Sequence, residues 1–335
     1  MAPIVSFLED QSAAIATWRF PGHSKPLTLA AAGSTLHLMS DDLEIIQSQS
    51  VGSSRINRLV GLSGHASVYF SCIDGSIGLV TTSGSRLGKV EQSASPSAEN
   101  GAIAVDSDIH RSGHLASILF NTSAGGSFGL VDMQRDAVMG RIPLGQTGTP
   151  NAVRIVDNSS VCVASSVVSL FDVRKAEAKT GTASSLFLTA SQEASGRVFT
   201  ALESDGVQKL IAGDSSGGIW LWDTRKPDSP IKSVHAHAGG VLTISLGGGM
   251  VGSSAADGSV SLWTVLASEE AHPKKKSRRI LLDDSAGPLK RCAVEGSGIA
   301  TALCVEDGHM PASERCVSYV TDVGTVVLAS TSDWQ

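Results

Sequence analysis

Short apolar runs separated by small and turn-forming residues recur along the whole chain. In residues 209–230, an apolar run ends in Ala212 and Gly213, a Gly217-Gly218 pair follows, and residues 219–223 read Ile-Trp-Leu-Trp-Asp. A glycine pair between two apolar runs predicts a β-hairpin, because glycine reaches the positive φ angles of a tight turn without a Cβ clash. This stretch therefore predicts two antiparallel strands joined by a tight turn.

The same pattern recurs seven times, with turns at positions 33, 75, 126, 166, 217, 258 and 324. The spacings are 42, 51, 40, 51, 41 and 66 residues, and a WD repeat has a period of about 40–45 residues. The sequence therefore predicts an all-β fold, a single WD-repeat β-propeller of seven four-stranded blades over residues 1–335. The last spacing predicts a loop insertion at about 267–290, between the sixth and seventh blades.

Two strand candidates, residues 4–8 and 14–20, precede the first turn. A circular sheet array needs a device that stops its last blade from separating from its first. We expect residues 4–8 to supply the outer strand of the last blade and to close the ring. Residues 14–20 are then the inner strand of the first blade.

Composition and charge narrow the function classes. The 35 glycines agree with a closed all-β fold, and the low aromatic content of 4% indicates degenerate repeats. A net charge of −6 argues against direct nucleic-acid binding, which needs a basic face. No apolar run reaches the roughly 20 residues that span a bilayer, and the first residues lack the features of a signal peptide. We expect no membrane insertion.

The residues typical of WD repeats are interpreted as structural. A His before the inner strand, a hydroxyl, a turn Asp and a Trp normally form a buried network, and Ala255 and Ser216 depart from that pattern. The structural candidates are His237, Asp257, Trp263, Trp222, Asp223, Phe171 and Asp172. A catalytic His–Asp pair is the alternative, but no nucleophile motif accompanies it. We expect no catalytic residue and hence no enzyme.

Cofactor and metal sites are not predicted either. Residues 247–252 match a dinucleotide fingerprint, but that motif needs a helix after it, and here a strand follows. The nine histidines and five cysteines show no metal-ligand spacing. We expect no cofactor, no metal and no small-molecule substrate.

Two sites carry the pattern aromatic-Asp-x-Arg and end in Arg174 and Arg225. Substrate receptors of the cullin-4 ubiquitin ligase have similar Trp-Asp-x-Arg motifs in consecutive blades, with the arginine offered to the adaptor. This resemblance implies an interaction role for the two arginines. The alternative is that each arginine braces the edge of its own blade.

A basic run in the predicted insertion is a candidate nuclear-import signal, because such signals are short basic clusters. The alternative is a solvated loop. The run consists of Lys274, Lys275, Lys276, Arg278 and Arg279.

Beyond the general repeat, the chain resembles the small WD-repeat nucleoporins of the Y-shaped outer-ring complex of the nuclear pore. The resembling segments are residues 4–7, 15–21, 151–155, 170–175, 209–241 and 320–328. The resemblance implies a non-catalytic structural subunit that supports nucleocytoplasmic transport of protein and mRNA. It implies an α-solenoid nucleoporin of the outer ring as partner and a location at the nuclear envelope.

Overall fold

The structure is a computed structural model. It describes residues 4–7, 12–18, 27–62, 66–83, 86–93, 102–123, 125–144, 148–175, 185–188, 196–247, 250–268, 279–282, 290–293, 299–305, 316–323 and 325–330. Within these ranges the chain forms seven antiparallel sheets, which are the blades of a β-propeller. The predicted fold class is confirmed.

In each of the first five blades, four consecutive strands form a meander. Blade 1 contains β2 (Ser12–Trp18), β3 (Leu27–Ala32), β4 (Thr35–Met39) and β5 (Ile45–Ser50). Blade 2 contains β6 (Ile56–Gly61), β7 (Ser67–Cys72), β8 (Ile77–Ser83) and β9 (Arg86–Ser93). Blade 3 contains β10 (Ile103–Ile109), β11 (Leu115–Thr122), β12 (Gly125–Asp132) and β13 (Ala137–Pro143).

Blade 4 contains β14 (Ala152–Asp157), β15 (Ser160–Ala164), β16 (Val168–Asp172) and β17 (Ser185–Leu188), with a 3-10 helix at Val173–Lys175. Blade 5 contains β18 (Phe199–Ser204), β19 (Lys209–Asp214), β20 (Gly218–Asp223) and β21 (Lys232–His235). Blade 6 contains β22 (Val241–Gly247), β23 (Met250–Ala255), β24 (Ser259–Ser268), β25 (Arg279–Leu282) and β26 (Lys290–Ala293). Blade 7 contains β27 (Ala300–Val305), β28 (Cys316–Thr321) and β29 (Thr325–Ser330), with β1 (Ile4–Phe7) added from the start of the chain.

Strand β1 closes the ring. It pairs antiparallel with β29, from Ile4 opposite Leu328 to Phe7 opposite Thr325. A side-chain contact supports the same junction, because the Thr17 and Ser318 hydroxyls of blades 1 and 7 lie 2.5 Å apart. The predicted closure is confirmed, with the strand at Ile4–Phe7. The first inner strand is Ser12–Trp18, two residues earlier than predicted.

The turns between second and third strands lie where the sequence placed them in blades 1, 2, 4, 5 and 6, whereas the predicted position 324 in blade 7 lies outside the described residues. Glycines at positive φ occupy four of these turns, namely Gly33, Gly75, Gly217 and Gly258. The exception is blade 3, where β11 ends at Thr122 and Gly126 already belongs to β12. The predicted turn position 126 is therefore wrong by about two residues, because the glycines there start a strand.

The hydrophobic core lies between neighbouring blades. One cluster joins Ile211, Ile219 and Leu221 of blade 5 to Val251 and Trp263 of blade 6. Apolar faces of two sheets pack together here, as in other sheet-on-sheet cores. Each blade is thus stabilised mainly by its neighbours, so closure of the ring matters for stability.

The described residues of the segment predicted as an insertion between blades belong to blade 6. The first part of β24, residues 259–262, pairs with β26, from Ser259 opposite Ala293 to Leu262 opposite Lys290. The last part of β24, residues 265–268, pairs with β25. Both strands that follow β24, namely β25 and β26, therefore extend blade 6 and do not separate it from blade 7. The sequence prediction counted only the spacing between turns. It therefore did not reveal that the third strand of blade 6, β24, is ten residues long and reaches into the segment predicted as an insertion.

Six inner strands share an irregularity near their first residues. The pairing register shifts there by one residue, which leaves Ala13, Asn57, Val105, Thr200, Leu242 and Thr301 as the extra residues. Such a β-bulge leaves its extra residue outside the ladder. Two of these side chains bond to the next blade: Asn57 donates to the Ala104 carbonyl at 3.0 Å, and Thr200 donates to the Val241 carbonyl.

Candidate functional site

The two Asp-x-Arg motifs occupy equivalent places in blades 4 and 5. Asp172 ends β16 and Asp223 ends β20, each the third strand of its blade. Because third strands run the same way in every blade, Arg174 and Arg225 lie on the same face of the propeller. We call this the Arg face. It also carries the turns between first and second strands, and the opposite face carries the turns between second and third strands.

Each arginine turns back onto its own aspartate. Arg174 donates from Nε to Asp172 Oδ1 at 2.9 Å and from Nη2 to Oδ2 at 2.7 Å. Arg225 makes the same bonds to Asp223, at 2.9 and 2.6 Å. Bidentate arginine–carboxylate pairs have the geometry that suits both groups best. Both arginines thus brace a blade edge while one side of each guanidinium stays open to solvent.

Asp223 has a second cation that Asp172 lacks at the matching position. Lys209 lies opposite Asp223 in the ladder and donates to Oδ2 at 2.8 Å, whereas Ser160 lies opposite Asp172. Hydrogen bonds from Arg225 hold the pKa of Asp223 well below its ordinary value, against the effect of burial and with a further contribution from Lys209. The Lys209 side chain is almost fully buried, so this pair is a structural part of blade 5.

The predicted network around His237 forms, but its hydroxyl groups come from other positions than the one that Ala255 occupies. His237 is buried between Ser253 and Ser259, with ring nitrogens 2.7 Å from each hydroxyl, and Ser259 in turn donates to Asp257. Burial raises the pKa of Asp257, but hydrogen bonds from Ser259 and Ala238 outweigh it and lower that pKa to about 2. Ser253 thus replaces the hydroxyl that Ala255 lacks. The indole N–H of Trp263 has no hydrogen-bond partner among the described residues, so Trp263 contributes packing alone.

Blade 5 has a buried carboxylate that the sequence interpretation missed. Asp214 accepts bonds from the Ser216 backbone and hydroxyl at 2.7 Å, from the Gly218 backbone at 3.0 Å and from Trp220 Nε1 at 2.7 Å. Burial alone would raise the pKa of Asp214, but these hydrogen bonds lower it. The expected position, Ser216, is therefore a donor to the true turn aspartate. Trp222, the predicted network residue, is buried beside it by packing.

The seven inner strands surround a central channel with a cavity of about 340 Å³. Four charged side chains of four successive blades meet in it: Arg58, Asp106, Arg154 and Glu203. Arg154 Nη1 contacts Asp106 Oδ2 at 2.7 Å, and Glu203 Oε2 lies 3.6 Å from Arg154 Nε and 3.8 Å from Arg58 Nη2. Nearby carboxylates raise the pKa of Arg154 further above its ordinary value although burial opposes this. These residues form a charged belt inside the ring.

Asp108 adds a third carboxylate to this belt. Its Oδ2 accepts a 2.8 Å hydrogen bond from the Ile155 backbone, and no cation among the described residues lies within 4.0 Å of it. Desolvation raises the pKa of Asp108 to about 6, although Arg154 acts in the opposite direction. The channel therefore holds a buried carboxylate that has no ion-pair partner in the part of the chain that the structure describes. Sequence reasoning found none of the five channel residues.

The remaining sequence predictions concern metal binding, membrane insertion and the basic run. Among the described residues, no group of three or more His, Cys, Asp or Glu has a metal-binding arrangement, and no helix is long and apolar enough to cross a membrane. In the basic run, Arg279 begins β25. Lys274, Lys275, Lys276 and Arg278 lie outside the described residues, so their role as an import signal stays a prediction.

Comparison with known proteins supports the fold. No protein-family model matches the chain, and no curated protein matches it in sequence. Among solved structures, the chain is similar to Raptor of Chaetomium thermophilum, with a TM-score of 0.72 and 12% sequence identity. The similarity covers 97% of this chain but only 28% of the Raptor chain. In all, 1657 chains of solved structures match, so a likeness of this kind does not select a function.

Proposed function

We propose that this protein is a non-catalytic scaffold that holds other proteins through the faces and rim of its propeller. The proposal rests on the contacts of the charged motif residues. Asp172, Asp223 and Asp214 each hold side chains or backbone groups of their own blade. These bonds stiffen the blade edges, and a stiff surface loses little conformational entropy when a partner binds.

The specific scaffold that we propose is a structural subunit of the nuclear pore outer ring. Support comes from the sequence resemblance, above all in residues 151–155, 170–175 and 209–241, which the structure assigns to blades 4, 5 and the start of 6. The partner would be an α-solenoid nucleoporin, and the location would be the nuclear envelope. No nucleic acid, lipid or small molecule takes part directly in this role.

Localisation and affinity purification of the tagged full chain test the proposal together. We expect a punctate nuclear rim and an eluate dominated by nucleoporins. The variant Arg174→Ala with Arg225→Ala should stay at the rim, because both arginines pair with their own blades. A diffuse signal with no nucleoporin in the eluate would contradict the outer-ring role.

The second candidate is a substrate receptor of a cullin-4 ubiquitin ligase. The observation in its favour is that Arg174 and Arg225 lie on one face at equivalent positions, with more than half of each side chain exposed. Loss of a charge-assisted pair at an interface typically costs about 2–5 kcal/mol. If the folded double variant leaves the rim and loses a ligase adaptor from its eluate, this second function replaces the first.

A further inference from the structure

The loop between the third and fourth strands of blade 5 carries a serine that is open to solvent. Strand β20 ends at Asp223 and β21 begins at Lys232, so this loop lies on the Arg face. Ser229 is exposed, and its hydroxyl has no hydrogen-bond partner among the described residues. Exposed loop tips with small polar residues are where enzymes such as proteases reach a folded chain. An enzyme that modifies serine therefore has access to Ser229.

The loop is anchored at its two ends and carries no hydrogen bonds between them. The backbone N–H groups of Lys226 and Ile231 donate to carbonyls of β20, at 2.8 and 2.7 Å. Residues 227–230 make no hydrogen bond with any other described residue. The residue before a proline avoids helical backbone angles, so Pro230 favours an extended backbone at Ser229. This short segment can enter the cleft of an enzyme without breaking hydrogen bonds of the blade.

The residues after Ser229 fit the substrate chemistry of proline-directed protein kinases that also select a basic residue. Pro230 follows at the next position, and Lys232 is the third residue after the serine. Proline has no backbone N–H, so a kinase pocket without an acceptor at that position excludes other residues, because a buried donor without a partner is costly. A carboxylate of the kinase can pair with the ammonium group of Lys232, which is half-buried on the outer strand of the blade.

Two other hydroxyl residues precede a proline in the sequence, Ser95 and Thr149, and neither has a basic residue at the third position after it. Ser95 lies outside the described residues. At Thr149 the proline is buried, and its ring lies against Gly126, where an added Cβ would come within 2.7 Å of Pro150 Cγ. A kinase pocket cannot take up a buried proline ring. Sequence and structure therefore both distinguish Ser229 from Thr149.

We infer that Ser229 is a phosphorylation site for a proline-directed kinase that also recognises Lys232. The Ser229 hydroxyl oxygen attacks the γ-phosphorus of ATP, and its proton passes to the catalytic carboxylate of the kinase. The bond between the γ-phosphorus and the oxygen that bridges it to the β-phosphorus breaks, and ADP leaves. Phosphoserine and ADP are the products, and nothing is oxidised or reduced.

The phosphate reverses the local charge of the Arg face. Residues 223–232 contain three cationic side chains and two carboxylates, namely Arg225, Lys226, Lys232, Asp223 and Asp228. A phosphoserine adds a charge of about −1.5 to −2 at pH 7, which turns one excess positive charge into an excess negative charge. Phosphorylation would therefore weaken any contact between acidic partner residues and this edge of blade 5. The inference goes beyond the proposed scaffold role and does not depend on which assembly the protein joins.

Phosphorylation of the purified full chain tests the inference. The probe is a cyclin-dependent kinase with its cyclin, Mg²⁺ and ATP, and mass spectrometry of proteolytic fragments maps the modified residues. A synthetic peptide of residues 225–236 is the positive control. We expect most chains to carry a phosphate on Ser229 when the peptide is fully modified, and at least tenfold less phosphate on Thr149. Ser229→Ala should remove that phosphate and keep the parental melting temperature, because the side chain is exposed.

Two matched lysine variants assign the recognition to the third position after the serine. Lys232→Gln should lower the initial rate of Ser229 phosphorylation at least fivefold. Lys226→Gln, the same change at the third position before the serine, should leave that rate within twofold of the parent. Pro230→Ala should abolish phosphorylation of Ser229 in the chain and in the corresponding peptide.

Three results would overturn the inference. The first is an unmodified Ser229 in the folded chain, whether or not the peptide is modified. The second is an equal rate in the parent and in Lys232→Gln, and the third is phosphate on Thr149 in preference to Ser229. Because the assay uses the purified chain, a diffuse cellular signal together with a phosphorylated Ser229 removes the outer-ring role and leaves the modification site.

Discussion

Trp220 donates a 2.7 Å hydrogen bond from its indole N–H to Asp214, whereas Trp222, stacked on it with ring centroids 6.1 Å apart, has no partner for its own N–H among the described residues. Both tryptophans are buried in the same cluster between blades 4 and 5. Two residues of one strand therefore differ in hydrogen bonding while sharing the same packing. This difference makes them a matched pair for measuring the worth of the Asp214 bond.

The first prediction compares Trp220→Phe with Trp222→Phe. Both changes remove similar volume from one core, but only Trp220→Phe removes a hydrogen bond to a buried carboxylate. Such bonds contribute about 1.5–3 kcal/mol. We expect the free energy of unfolding, measured by urea denaturation, to fall further in Trp220→Phe by that amount. Equal losses in the two variants would show that the Asp214 bond adds nothing beyond packing.

The repeat pattern predicted the fold well because glycine turns and apolar strands reflect the backbone geometry of each blade. Glycine turns and apolar strands have local signatures, so the closure by residues 4–7 and five turn positions followed directly from the residues. The turn aspartate of blade 5 was missed because the expected spacing pointed to Ser216, two residues after Asp214. A carboxylate can reach the same donors from the end of the preceding strand, and spacing alone does not reveal this.

The spacing of the charged channel residues along the chain is regular enough for a repeat search to find them. Arg58, Asp106, Arg154 and Glu203 alternate in charge at spacings of 48, 48 and 49 residues, which is close to the blade period. Inner strands converge on one axis in a propeller, so charges at that period become neighbours. The pairing of particular oxygens and nitrogens, and the lack of an ion-pair partner for Asp108 among the described residues, depend on side-chain directions that the sequence does not specify.

The second prediction concerns the buried ion pair of blade 5. Asp223→Ala leaves Lys209 buried without its carboxylate, and breaking a buried pair in this way costs about 3–5 kcal/mol. Asp172→Ala is the matched control, because the residue opposite it is Ser160 and its arginine is exposed. We expect the control to lose less than about 1 kcal/mol, as measured by chemical denaturation at pH 7.

The pH dependence of this difference follows from the lowered pKa of Asp223. A depressed folded-state pKa contributes stability that is present above the unfolded value of about 3.9 and is lost as the pH falls below it. The gap between the two variants should therefore stay constant from pH 8 to about pH 5 and shrink below pH 4. A gap that shrinks above pH 6 would contradict the assignment to Asp223.

The third prediction tests ring closure. Deletion of residues 1–9 removes β1, leaves β29 as an unpaired strand edge and frees blade 7 from the start of the chain. Exposed edges of this kind favour aggregation. We expect most of the truncated protein in the insoluble fraction and a lower melting temperature for the remainder. A variant with threonine at positions 4–7 keeps the backbone ladder and should be more soluble than the deletion. A truncated protein that melts at the parental temperature would rule out this closure.

The last prediction uses Asp108, whose raised pKa of about 6 results chiefly from desolvation. A carboxyl group with a raised folded-state pKa binds its proton more tightly in the folded protein than in the unfolded chain. Its contribution to stability is therefore fully present below the unfolded pKa, decreases as the pH rises from about 4 to 6, and stays at its lowest value above that range.

Asparagine at this position keeps an oxygen for the Ile155 backbone donor and carries no charge. Two pKa units correspond to about 3 kcal/mol, so Asp108→Asn should be more stable than the parent at pH 8 by up to that amount. The advantage should disappear at pH 4, and Asp228→Asn, at an exposed position, should show no such change. Denaturation curves at pH 4, 6 and 8 measure it. If Asp108→Asn is the less stable protein at pH 8, the carboxylate has a stabilising cationic partner within the folded chain, and desolvation does not dominate at this position.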